Sequence, residues 1–143
     1  MNKNGFTLIE ILLVVVLISI ITAFSVPVFS SLVGSTELND SVDKLVHASR
    51  RAQLLSETMK EDLSWGIFVD TDKIVVFGGD DYATRNSSFD EAYFFAEQIN
   101  VSGDTEFVFE KLTGFPDSSV SLTLENNFGS QIVDINEVGL IEY

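Results

Sequence analysis

Gly5-Phe6-Thr7-Leu8-Ile9-Glu10-Ile11-Leu12-Leu13-Val14-Val15-Val16-Leu17-Ile18 is the stretch on which the architecture turns. It opens an apolar run over residues 6–29, relieved only by Thr7, Glu10, Ser19, Thr22, Ser25 and Pro27. Residues 11–18 are apolar without a break. As a helix rising about 1.5 Å per residue, the run reaches roughly 36 Å, enough for a hydrocarbon core about 30 Å thick. A helix buried in a soluble core rarely stays apolar all round for so long. The expectation is a transmembrane helix over residues 6–29.

Upstream, Met1-Asn2-Lys3-Asn4-Gly5 is a short polar leader with one lysine. Lys3 and the terminal amine favour keeping the leader in the cytoplasm, with the rest of the chain outside. Gly5 has no side chain to obstruct a protease acting at the membrane surface. Glu10 is the anomaly. A carboxylate costs on the order of 2.5–3.5 kcal/mol at the centre of a transmembrane helix and less near its end. Such a residue usually has a partner and a purpose.

Gly5-Phe6-Thr7-Leu8-Ile9-Glu10 resembles the class III signal peptide of type IV pilins and of the pseudopilins of type II secretion. The resemblance implies cleavage between Gly5 and Phe6 by a prepilin peptidase and N-methylation of Phe6. It makes Glu10 the assembly carboxylate, paired with the new terminal amine of a neighbouring subunit. It also implies an inner-membrane assembly platform, membrane lipid and other pilin or pseudopilin subunits as partners, in a bacterial inner membrane and then a filament. Two other readings stand beside it. Ala23-Phe24-Ser25 has the small residues an ordinary signal peptidase reads, with removal before Val26, and the run could also be a plain single-pass anchor. Neither accounts for Glu10 or for the five-residue leader.

Beyond residue 29 the pattern becomes that of a wet helix with one apolar stripe. Leu38, Val42, Leu45, Ala48, Ala52, Leu55, Met59 and Leu63 recur at spacings of three and four. This predicts an amphipathic continuation over residues 30–63. Pro27 removes a backbone donor inside the helix, and Gly34 weakens it further. The pair reads either as a bend or as a soft segment that extends when subunits pack, and filaments of the resembled family favour the second. From Ser64-Trp65-Gly66 the period shortens to that of strands. A hairpin over 65–70 and 73–78 is expected, then a polar loop over 79–88 and strands over 93–101, 105–112, 120–125, 131–136 and 140–143. The fold class is α+β: a long N-terminal helix packed on an antiparallel β head spanning residues 64–143.

Charge is lopsided, with 8 Lys and Arg against 22 Asp and Glu. Residues 64–143 carry 15 acids and three bases, a surface that repels phosphate backbones and argues against nucleic acid. No cysteine is present, so disulfides, thiolate metal sites and cysteine nucleophiles are excluded. His47, beside Arg50 and Arg51, reads as a solvated surface residue. Asp70-Thr71-Asp72 and Asp80-Asp81 lack the ligand-rich loop of a calcium site and read as turns. No catalytic constellation, cofactor or metal site emerges. Residues 44–53, Lys-Leu-Val-His-Ala-Ser-Arg-Arg-Ala-Gln, resemble the helix of H-type minor pseudopilins and FimT-like minor pilins, as does the β half ending in Gly139 and Leu140-Ile141-Glu142-Tyr143. Two functions follow: a structural, minor filament subunit, or a membrane-tethered or pilus-tip module whose acidic head binds a ligand.

Overall fold

A computed structural model describes residues 5–95 and 99–143, the side chains of 24–28 excepted. The chain divides into two compact units, Met1–Val33 and Gly34–Tyr143. One helix, α1 (Leu8–Glu57), runs through the Pro27 position and ends in the second unit. Inside the first unit, Ser19 Oγ donates to the Val15 carbonyl at 2.7 Å and Thr22 Oγ1 to the Ile18 carbonyl at 2.8 Å. These hydroxyls are satisfied within the helix, so they interrupt an apolar surface at little cost.

In the second unit α1 packs its stripe onto a β head. Leu38, Val42, Leu45, Ala48, Ala52 and Leu55 are buried, as the periodicity predicts. Ser41, Val46, Ser49 and Ser56 join them and widen the buried face. Small residues here let strands approach the helix closely.

Among the described residues, the head contains two four-stranded antiparallel sheets. The first has the order β3-β2-β1-β5, from β1 (Trp65–Val69), β2 (Lys73–Gly78), β3 (Glu91–Phe94) and β5 (Glu106–Phe109). The second has the order β4-β6-β7-β8, from β4 (Asn100–Gly103), β6 (Val120–Asn126), β7 (Gly129–Ile135) and β8 (Ile141–Glu142). Ile67, Ile74, Val76, Phe107 and Phe109 of the first sheet share one apolar core with Val120, Leu122, Leu124, Val133 and Ile135 of the second.

Three expectations need correction. The single strand expected over 93–101 is two: β3 pairs with β2, and β4 pairs with β6 in the other sheet. The chain changes sheet between them, and residues 96–98 lie outside the described residues. The helix stops at Glu57 rather than 63, because Met59, Glu61 and Asp62 adopt positive φ of 50°, 57° and 60°. Met59 is therefore 44% exposed instead of lying on the stripe. The strand expected to 112 ends at Phe109, and Leu112 turns back with φ 79°. Left-handed backbone costs a residue with a Cβ roughly 1–2 kcal/mol.

Gly34 has a packing role that its helix propensity does not show. The Phe128 ring, at the tip of the β6–β7 hairpin, lies where a Cβ on Gly34 would stand. Asn126 Nδ2 donates to the Gly34 carbonyl at 2.8 Å, while its Oδ1 accepts from the N–H groups of Phe128 and Gly129. One row further along, Gln131 Nε2 donates to Asn39 Oδ1 at 2.6 Å. The hairpin tip thus clasps α1 at the first residue of the second unit.

On the other sheet, Arg51 of α1 bonds Glu91 of β3 through Nε at 3.2 Å and a terminal nitrogen at 3.0 Å. The Arg51 guanidinium holds the Glu91 carboxyl below the usual carboxylate range, against partial burial. Burial, helped by Glu91, pushes the neighbouring Tyr93 phenol up. A depressed carboxylate stabilises the fold above its ordinary value of 4.5, and that contribution disappears as pH falls through the depressed value. Both partners are substantially exposed, so the pair orients helix against sheet more than it stabilises. The 79–90 loop is ordered by Arg85, which chelates Asp90, stacks over Tyr82 at 3.5 Å and so presses Tyr82 onto Phe68.

Candidate functional site

The candidate site begins where α1 begins. Thr7 caps the helix: the Glu10 N–H donates to the Thr7 carbonyl at 3.1 Å and lies 3.4 Å from Thr7 Oγ1, and the Ile11 N–H reaches the same carbonyl at 3.3 Å. Thr7-Leu8-Ile9-Glu10 therefore has the spacing of a capping box, with a threonine at the cap and a glutamate three residues on. The sequence reading assigned Glu10 but missed Thr7, although Thr-x-x-Glu before an apolar run is a recognised start signal. An acid in the first turn also faces the positive end of the helix dipole.

Phe6 and Glu10 lie on one side of this turn. With Ile11, Val14 and Val15 they line a shallow groove of about 290 Å³. Phe6 is 82% exposed, and the apolar side chains from Leu8 to Ile21 are roughly half exposed or more. Glu10 is exposed and forms no ion pair among the described residues, while Lys3 lies outside them. Among the described residues, a Cβ on Gly5 would meet nothing within 4 Å, so packing against them gives no reason for glycine there. The site offers one carboxylate, one aromatic ring and an apolar groove. Such a set can seat a cation and an apolar helix.

Among the described residues, no helix is long and apolar enough to cross a membrane. The uninterrupted described side chains, residues 8–23, span about 24 Å, short of about 30 Å. The apolar run in the sequence continues to residue 29, past the side chains of 24–28.

The remaining expected positions fall elsewhere. Gly34 sits under Phe128, in the second unit, and the side chain of Pro27 is not among those described. His47 is exposed on α1. Asp70 accepts from the Thr71 N–H at 2.8 Å, and Asp81 from Ala83 and Thr84, so both aspartates serve turns.

Comparison with known proteins bears on the N-terminus alone. No curated protein and no solved structure matches the chain. Residues 1–26 match the family model of the prokaryotic N-terminal methylation motif, so the chain carries a class III signal peptide of the type IV pilin-like kind.

Proposed function

We propose that the chain is a structural subunit of a type II secretion pseudopilus or a type IV pilus. In this reading prepilin peptidase cuts between Gly5 and Phe6, Phe6 is methylated, and residues 6–29 hold the chain in the inner membrane with the head outside. An assembly platform then moves it from lipid into a filament beside other subunits, where Glu10 meets the amine of a neighbouring Phe6. The observation that carries the reading is the methylation motif joined to an exposed apolar helix with one carboxylate in its first turn. The helix of residues 44–53 and the all-β second half support a minor subunit, and the acidic head opposes a role in binding nucleic acid.

The test is fractionation of cells that make the filament. The chain is expected in the membrane and, after shearing, in the filament fraction with other subunits. Its confinement to membranes while filaments are recovered in quantity would sink the proposal.

A further inference from the structure

Where the end of α1 meets the 110–116 turn, the head displays apolar side chains that its core does not use. Leu112 is 64% exposed, and Phe115 and Met59 44% each. The two segments are tied together: the Leu112 N–H donates to the Ser56 carbonyl at 3.1 Å, Gln53 Nε2 to the Gly114 carbonyl at 3.1 Å, and Lys111 Nζ to Asp62 Oδ1 at 2.8 Å. Met59 and Leu112 also hold left-handed backbone, which favours glycine. A large apolar side chain kept outside the core, on backbone where glycine is easier, is explained by neither packing nor local conformation. Strain of this kind gathers at functional surfaces.

The surroundings identify what would cover this face. Lys60 and Lys111 are held by Glu61 and Asp62, whereas Glu57 and Glu110 make no ion pair among the described residues. The rim is therefore acidic. Residues 34–143 as a whole carry seven bases against 21 acids, a balance of −14, so a second copy would bring like charge to the contact.

We propose that this face docks a different protein chain, one whose contact surface has an apolar centre flanked by lysine or arginine. The inference deepens the filament reading and rests on it: the occupant is a dissimilar neighbouring subunit.

The test uses the full chain in its host membranes with a photoreactive amino acid at Leu112, and at Ile132 on β7 as the control site. Leu112 is expected to yield one adduct with a protein other than this chain, on a peptide where Lys or Arg flanks an apolar residue, and Ile132 none. Its yield should fall several-fold as salt rises from about 0.05 to about 0.5 M, since exposed charges are screened over that range, and again with Glu57→Lys plus Glu110→Lys. With the probe moved to Phe115, Leu112→Gly should remove most of the adduct while the melting temperature holds or rises, because glycine fits φ 79°. An adduct only with a second copy, only with lipid, or insensitive to salt overturns the proposal, as does a head destabilised by Leu112→Gly. The N-terminus is read in the same samples. An uncut leader defeats the filament reading, whereas a cut leader with no adduct at Leu112 defeats the docking face alone.

Discussion

Glu10→Ala leaves membrane insertion intact and lowers recovery in sheared filaments by at least about tenfold, equivalent to about 1.4 kcal/mol or more of lost packing. Removing a carboxylate makes the apolar run more apolar, so insertion becomes easier. The loss comes later, when the subunit leaves lipid and packs beside others. There the Phe6 amine of a neighbour would lie in the groove lined by Phe6, Glu10, Ile11 and Val14, where water screens little. A buried ion pair need not outperform an apolar replacement, but removing one partner strands the other charge, typically at about 3–5 kcal/mol. The stranded charge is cationic. Raising pH above the ordinary amine value of about 8 should therefore restore part of the defect. Thr7→Ala separates the two roles of the first turn: it removes the cap and keeps the carboxylate, so assembly should suffer far less. Membrane fraction, processing at Gly5 and filament recovery are compared for all three proteins. Parental assembly by Glu10→Ala would remove the carboxylate from the account.

A chain beginning at residue 30 is soluble and unfolds cooperatively, and Ser56→Ala within it loses about 2–4 kcal/mol. Ser56 is fully buried at the last turn of α1. Its Oγ accepts from the Trp65 N–H at 2.9 Å and donates to the Phe109 carbonyl at 3.0 Å. One hydroxyl thus joins the helix to β1 and β5, and its loss leaves two buried backbone groups short of a partner. Thr58→Ala is the contrast: among the described residues that hydroxyl bonds only its own helix, at Leu54 and Leu55, so its removal should stay within about 0.5 kcal/mol. Urea unfolding measures both. Equal effects would show that the Ser56 bonds carry no special weight, and an aggregated parent would show that the division between anchor and head is misplaced.

The parts legible in the sequence were those written in periodicity. Leu38, Val42, Leu45, Ala48, Ala52 and Leu55 repeat with the helix and are buried by it. The β1–β2 hairpin follows from two short apolar runs on either side of Asp70-Thr71-Asp72. Illegible parts depend on residues distant in sequence. Nothing near Gly34 announces that Asn126 and Phe128, more than ninety residues on, will close over it. The change of sheet between β3 and β4 is hidden because each piece alternates like one continuous strand. The exit of α1 was overestimated because Met59 and Leu63 continue the apolar spacing; spacing cannot register the left-handed turns at Met59, Glu61 and Asp62. At the N-terminus the position is reversed. Gly5, Phe6 and Glu10 were marked by sequence alone, and the structure adds the Thr7 cap and the shared groove.

The central claim is that a prepilin peptidase defines the mature chain, and one measurement addresses it most directly: mass spectrometry of the N-terminal peptide from membranes of cells with active peptidase. The account predicts a chain beginning at N-methylated Phe6, with the Met1–Gly5 leader absent, and the full leader retained when the peptidase is removed. A mature start at Val26, or an intact Met1 in cells with active peptidase, would contradict it.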